Sequence, residues 1–512
     1  MCSFPRFIMP AIQLLTIHSA RIKEEFTIGW RMAAVPVRTA ARYNLLRYPP
    51  SKSHHHRTWR YPVPTSPTLS HRAARSAVRL ILIASLALTA TLMLPAPATA
   101  ETLGSDVICS QTADERGLAA EDLPDISARN AIVVRSDGEV YFERDADAQV
   151  KIASTTKVMT AIVALEHASL DTVITVDHAA ATVGESTAHL REGDTLTLGT
   201  ALKALLMPSG NDAAMAIARS IGAIIDPASA DPYATFIQAM NDKAAELGMG
   251  AVFTNPHGLD FGAWENDAMH ASARDVATMF AHAMQNDDFR EISASTDNVI
   301  TVTGSDGTER QIELLERNEI LGQQGNIGGK TGGTYAALSC FVGAFSRDGD
   351  EIYTVVLGCE DSDIRWADTL ALANWYYAHM HTVPVLNSER TTAEGELLVA
   401  RASAVDWTDK TIDIVADDPE ATVRFFDLEG ELALDVELET FGGDVERGAE
   451  AGTLTLTQGD ETLATIGLVT AESIQAPSLL EWGLIQLDRF VRLFTGEPAT
   501  APSEIFATVP EV

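Results

Sequence analysis

Three short motifs follow one another along the chain: Ser154-Thr155-Thr156-Lys157, Ser209-Gly210-Asn211 and Lys330-Thr331-Gly332. A serine hydroxyl is a poor nucleophile until a neighbour takes its proton. Side chains three apart on a helix share a face, so a helical segment brings the Lys157 amine to the Ser154 oxygen. Lysine acts as a base only when its pKa falls, and burial and a second cation, Lys330, both push it down. A serine at a helix N-terminus also gains from the helix dipole, which favours developing negative charge. The pattern points to acyl transfer, with Ser154 as nucleophile and Lys157 as general base. Ser209 is placed to relay the proton to a leaving amine, and Asn211 to hold Lys157 and the substrate backbone. Lys330 and Thr331 suit a carboxylate. Gly332 and Gly333 let an extended substrate approach a strand edge with no side chain in the way. The backbone N–H groups of Ser154 and Gly333 would form the oxyanion hole.

Taken singly the motifs say little. A chain of this length should hold about two S-x-x-K tetrads by chance, and Ser-Gly-Asn alone is more often just a turn. Their joint occurrence in this order carries the weight. The glycines around Lys330 are superficially like a phosphate loop, but position 324 is Gln, so the G-x-x-x-x-G-K spacing is missing. The four cysteines, Cys2, Cys109, Cys340 and Cys359, form no C-x-x-C pair and no zinc-spaced cluster with histidine. His54, His55 and His56 fall in a basic leader and read as a solvated stretch. Neither a cofactor nor a metal is expected, and Cys340 and Cys359 read as free, buried thiols.

The elements around the motifs are legible. Ala131–Val134 and Val140–Phe142 flank Ser136-Asp137-Gly138, a hairpin signal. Val158, Ile162 and Leu165 give the segment after Ser154 a helical period. Thr197 reads as the cap and Pro208 as the stop of a second helix, and a third follows Asn211. Further helices are expected at about 233–247 and 272–286. Strands follow at about 297–303, 311–316, 326–334, 338–346 and 351–358, then a helix at about 364–380. Strands at both ends with helices between them predict an α+β fold, an antiparallel sheet covered by helices with a helical subdomain. Residues 101–384 are read as the catalytic domain and 385–475, with short alternating strands, as a small all-β domain. Residues 476–496 are read as an amphipathic helix with Leu480, Leu484, Leu487, Val491 and Phe494 on one face. Its four charges exclude a spanning helix, leaving a membrane-surface contact through 478–494 or docking on the β-domain. The Pro-rich tail, 497–512, is expected to be disordered.

Charge divides the chain. Of 37 basic and 71 acidic residues, the first hundred hold 13 and 2, which leaves 24 and 69 in the rest, a net of −45. A surface that negative repels nucleic acid, so no nucleic-acid partner is expected. Within residues 1–100, Arg72, Arg75 and Arg79 precede an apolar run from Leu80 to Leu94, and Ala98-Thr99-Ala100 gives an A-x-A site. This is the pattern of a secretory signal, and residues 1–71 before it read either as an over-extended gene start or as an unusually long basic leader. An exported protein, in the wall or attached to the outer face of the cytoplasmic membrane, is expected.

The segments around the motifs resemble those of the low-molecular-weight penicillin-binding proteins, the D-alanyl-D-alanine carboxypeptidases. The resemblance rests on Ile152–Thr160, Met207–Ala214, Asn255-Pro256-His257-Gly258-Leu259-Asp260 and Gly329–Thr334 running on to Cys340, and covers about 125–382. It implies a β-lactamase/transpeptidase-like fold and a serine peptidase that removes the terminal D-alanine of peptidoglycan pentapeptides through an acyl-enzyme. It also implies covalent binding of β-lactams. A DD-endopeptidase cutting cross-links would use the same residues, and a non-catalytic wall-binding protein is the alternative from another class. A class A β-lactamase would need a Glu-x-x-x-Asn segment between the second and third motifs, and none is present. Two departures stand out. Glu360 occupies the place where the family usually carries a carboxylate-binding arginine, with Arg365 the nearest candidate, and Gly333-Thr334-Tyr335 differs locally.

Overall fold

The computed structural model describes residues 105–511, so the leader and signal sequence read in 1–100 lie outside the described residues. Short strands β1 (Val107–Ile108) and β2 (Gln111–Thr112) precede the hairpin of β3 (Asn130–Arg135) and β4 (Val140–Arg144). Gly138 turns that hairpin with φ 96, a backbone angle that favours glycine. The chain then becomes largely helical. It runs through α1 (Lys157–His167), β5 (Val173–Thr175), β6 (Thr195–Thr197), α2 (Leu198–Leu206), α3 (Asn211–Ile225), α4 (Pro232–Glu246), α5 (Ala273–Ala283) and α6 (Asp287–Ser293). Thr197 caps α2, its hydroxyl accepting from Thr200 N at 3.2 Å. Strands β7 (Val299–Thr303) and β8 (Glu309–Glu313) join β5 and β6 in a four-stranded sheet of the helical subdomain.

Strands β9 (Asn326–Thr334), β10 (Leu338–Arg347) and β11 (Asp350–Cys359) return to the first hairpin, and α7 (Ser362–His379) follows. The main sheet has seven strands in the order β2-β1-β4-β3-β11-β10-β9. Alternation along each strand splits its apolar residues between two cores. Ile132, Val134, Val342, Tyr353 and Val355 face the helices. Ala131, Val133, Phe341, Phe345, Ile352 and Val356 face α7. Both faces are therefore covered, and β9, which carries the third motif, ends the sheet with one edge unpaired.

After α7 comes β12 (Met380–Pro384), then β13 (Ala400–Ser403), β14 (Thr411–Ala416), β15 (Thr422–Phe426), β16 (Leu432–Leu438), β17 (Glu450–Gln458), β18 (Glu461–Thr470), α8 (Leu479–Thr495) and β19 (Glu504–Ile505). Six of these strands form one sheet, β16-β17-β18-β14-β13-β19, over its own core of Val399, Ile412, Ile414, Leu454, Leu456 and Leu468.

Two expectations need correction. The boundary drawn after residue 384 is crossed, because β12 pairs with β15 from Met380↔Phe426 to Pro384↔Thr422. Phe426 in turn packs into the core under α7. Five residues containing His, Thr and Pro carry no strand period that a sequence reading could detect. Within the tail, expected to be disordered, the described residues 497–511 include a short strand, β19. Glu504 and Ile505 pair with Arg401 and Ala400, and Phe506 lies beneath the Arg390 guanidinium, 4.3 Å from ring centroid to Cζ. A proline-rich composition argues against regular structure, but a two-residue strand suffices to cap an open sheet edge.

Helix α8 is docked by its polar side. Ile485 is 7% exposed, the Arg489 guanidinium donates to Val405 O, and Arg492 donates to Pro498 O at 3.2 Å. Its apolar arc faces outward, with Leu480 at 77%, Leu484 at 60% and Phe494 at 77% exposure. Leu487, Phe490 and Val491 share that arc, and Trp482 is exposed on the other side. Among the described residues no helix is long and apolar enough to cross a membrane.

Candidate active site

Ser154 lies in a 3-10 turn, Ala153–Thr156, that runs straight into α1. Ala153 is held at φ 47, a left-handed angle unusual for a residue with a Cβ. Ser209, in the loop between α2 and α3, is likewise at φ 62. Strained backbone at both serines fits a site whose geometry is imposed by its surroundings.

The Lys157 amine is fully buried. Its Nζ lies 2.9 Å from Ser154 Oγ, 2.8 Å from Asn211 Oδ1 and 2.8 Å from the His257 carbonyl oxygen. Burial drives its pKa well below the ordinary lysine value, the Lys330 charge adds to this, and Asp212 opposes it. A neutral amine has two N–H groups and one lone pair. Asn211 Oδ1 and the His257 carbonyl can only accept, so they take the two N–H groups and leave the lone pair for the Ser154 hydroxyl. With the amine neutral, the three contacts allow Lys157 to accept a proton from Ser154.

Asn211 is itself fixed. Its Nδ2 donates to Gly184 O at 3.0 Å and its backbone N to Ser186 O at 2.8 Å. That loop is clamped by Asp212, 2% exposed, whose carboxylate accepts from Thr187 Oγ1, Ala188 N, Leu190 N and Ala213 N at 2.6 to 3.0 Å. One amide hydrogen of Asn211 is therefore committed to the protein rather than to a substrate.

Lys330 is also closed to solvent. Its Nζ lies 2.9 Å from Ser209 Oγ and donates to Thr331 O at 2.8 Å. Burial lowers its pKa to about 7, with the Glu316 carboxylate opposing and the Arg365 and Arg317 charges adding. The contacts form two groups, Ser154–Lys157–Asn211 and Ser209–Lys330–Thr331, coupled by the Lys330 charge acting on Lys157.

The two glycines differ. A Cβ built on Gly332 would lie 2.8 Å from Ile152 O and 3.3 Å from Ser154 N. Gly332 therefore lets β9 close against the Ser154 turn, rather than clearing a path for substrate. Gly333 is exposed, with nothing nearer to such a Cβ than Leu338 O at 3.8 Å. Arg365 lies in the first turns of α7, buried, with its guanidinium 4.1 Å from the Trp366 ring centroid. Its Nε has no hydrogen-bond partner among the described residues. It touches neither Lys330 nor Thr331 by a hydrogen bond and acts on Lys330 through its charge.

The pattern of the peptidase family described as D-alanyl-D-alanine carboxypeptidase matches residues 118–361. A D-alanyl-D-alanine carboxypeptidase of Mycobacterium tuberculosis is 32% identical over 272 residues, 52% of this chain and 88% of that protein. The chain belongs to the D-alanyl-D-alanine carboxypeptidase family. Another carboxypeptidase, from Bacillus subtilis, is 25% identical over 362 residues, 68% of this chain and 86% of its own. A solved Streptomyces DD-transpeptidase superposes with a TM-score of 0.46 at 30% identity, over 50% of this chain and 98% of its own.

In this carboxypeptidase-family chain the sequence reading missed the contribution of Asn255–Asp260. The segment's likeness to the family was visible, but no role was assigned to it. The His257 carbonyl accepts from Lys157 and, at 3.3 Å, from Ser154 Oγ. A backbone carbonyl has no side-chain signature. The His257 imidazole is buried against Trp264, ring centroids 4.5 Å apart, and burial holds its pKa well below the usual value. Asp212 and Arg317 were also missed. The three cysteines among the described residues are free, and Cys340 and Cys359 are buried.

Proposed function

We propose that the chain is a serine-type D-alanyl-D-alanine carboxypeptidase that trims peptidoglycan stem peptides. Membership of the family supports the substrate class. The observation that carries the serine mechanism is the 2.9 Å contact between Ser154 Oγ and a buried Lys157 amine whose other two contacts are both acceptors. Ser154 attacks the carbonyl of the penultimate D-alanine while Lys157 takes its proton. The oxyanion is held by the N–H groups of Ser154 and Gly333. Ser209 passes a proton to the departing D-alanine amine, and water then releases the acyl-enzyme. Lys330 and Thr331 receive the terminal carboxylate, with Arg365 adding charge behind them. β-Lactams acylate the same serine. No cofactor enters these steps.

Export is part of the reading, supported by the Arg72–Ala100 signal pattern. The outward apolar arc of α8 supports attachment to the outer face of the cytoplasmic membrane. The deciding experiment is labelling with a fluorescent penicillin. Wild type takes a covalent label and Ser154→Ala does not, and the wild type releases D-alanine from diacetyl-Lys-D-Ala-D-Ala. A folded wild type that stays unlabelled overturns the proposal.

A further inference from the structure

Asp260 ends the loop that begins at Asn255, and it is 9% exposed. Its Oδ2 accepts from Thr334 Oγ1 at 2.7 Å. Its Oδ1 is enclosed and has no hydrogen-bond partner among the described residues. A carboxylate kept in that condition costs stability, so a purely structural role explains it poorly. Thr334 is the residue after Gly333, on the last position of β9.

The same loop meets the nucleophile. A Cβ on Gly258 would come within 1.9 Å of Ala153 O and 3.0 Å of Ser154 N, so glycine lets the loop lie directly on the turn. The His257 carbonyl meets Lys157 and Ser154. The loop is braced within itself, since Asn255 Oδ1 accepts from Gly258 N at 2.7 Å and Asn255 Nδ2 donates to Leu259 O at 2.9 Å. It is anchored to α1 by Thr160 Oγ1, which donates to Pro256 O at 2.6 Å. One short segment therefore grips the Ser154 turn at one end and the end of β9 at the other.

We propose that Asp260 is a positioning residue that sets the spacing of the oxyanion hole, by tying Thr334, and with it Gly333 N–H, to the loop that holds Ser154. This rests on the acyl-transfer reading above and adds to it a residue that touches no substrate. The hole works only if its two donors stand at a fixed separation, and a displacement of about 1 Å can cost a hundredfold in rate. On one side Gly333 is held by its pairing with Ser339 of β10, and the Asp260–Thr334 contact ties the end of β9 to the Ser154 loop on the other.

The test uses the whole mature chain and measures the rate of acylation by penicillin, kcat and KM for the D-Ala-D-Ala peptide, and the unfolding midpoint. Asp260→Ala and Thr334→Val each lower acylation and kcat about tenfold, with KM changed less than about twofold and no matching loss of thermal stability. The double variant falls no further than either single one, and Thr334→Ser, which keeps the hydroxyl, behaves as wild type. Asp260→Ala acylating at the wild-type rate overturns the inference. So does a loss that Thr334→Val does not reproduce, or one confined to KM. If the wild type itself is not acylated, the functional reading has failed instead, and the two failures are told apart by that control. Should Asp260→Ala not fold, Thr334→Val and Thr334→Ser carry the same comparison.

Discussion

Lys330 Nζ lies 2.9 Å from Ser209 Oγ, in a position closed to solvent. Its charge acts on Lys157, which holds Ser154 in the same way. On the proposed mechanism the two lysines have opposite tasks: Lys157 must be neutral to accept a proton, whereas Lys330 must be charged to attract a carboxylate. Burial lowers both, and Lys330 only to about 7. The profile of kcat/KM against pH for the peptide acid should therefore have an acid limb where Lys157 gains a proton and an alkaline limb near 7 where Lys330 loses one. A peptide ending in D-alaninamide has no carboxylate to meet, and should be turned over more slowly and without the alkaline limb. A flat profile between about pH 6 and pH 9 for the acid peptide would remove Lys330 from carboxylate binding.

Replacing Lys157 by Arg places a permanent charge near Ser154 and removes the base. Guanidinium does not deprotonate in this range and has no lone pair to offer. Acylation by penicillin should fall by about a thousandfold or more. Measuring acylation by stopped flow isolates this step from water attack on the acyl-enzyme. A fall of less than tenfold would mean that another group takes the Ser154 proton.

Those two predictions use residues that the sequence already singled out, and the reason is physical. Ser154 and Lys157 are three apart in a segment whose apolar period is plain, so their meeting is a local fact. Ser209 and Asn211 sit at a Pro-marked break between helices, and Lys330 on a strand bounded by clear turns. What the sequence hid is longer in range or lacks a side-chain signature. The His257 carbonyl contributes through its backbone. The Asp212 carboxylate works by collecting backbone N–H groups of a loop some 22 to 25 residues upstream. Pairing of β12 with β15, and of β19 with β13, depends on edges that exist only once the sheets have formed. Arg365 was reached through the resemblance alone. Its placement behind Lys330 follows from the packing of α7 on the sheet, which no local pattern reveals.

Asp212 supplies a stability prediction. Its carboxylate, 2% exposed, accepts from three backbone N–H groups and from Thr187 Oγ1. Asp212→Ala leaves those donors unpaired in a buried site and frees the Gly184–Ser186 loop that fixes Asn211. The expected loss is about 3 kcal/mol in denaturant unfolding. Acylation should fall with it even at temperatures where the variant is fully folded, because Asn211 Oδ1 no longer fixes the Lys157 amine. Asp212→Asn keeps at most three of the acceptor contacts, those on Oδ2, and should fall between. A variant that unfolds like wild type would show that the clamp is redundant.

Helix α8 presents Leu480, Trp482, Leu484, Leu487, Phe490, Val491 and Phe494 to the outside while its arginines are turned inward onto Val405 O and Pro498 O. A basic amphipathic helix binds anionic lipid through exposed Lys and Arg. Here those charges are committed to the protein, and residues 101–512 are strongly acidic. Attachment should therefore be driven by apolar area and owe little to lipid charge. The mature protein should float with neutral phosphatidylcholine vesicles, and about equally at low and high salt. Adding anionic lipid should not strengthen it. Leu484→Asp with Phe490→Asp should reduce flotation at least about tenfold, because each places a charge in the centre of the arc. Penicillin labelling should be unchanged, since α8 is remote in sequence from every group in the cleft. Flotation that needs anionic lipid and vanishes with salt would point to a charge-driven contact elsewhere on the chain. Equal flotation without residues 478–496 would remove α8 from the interaction altogether.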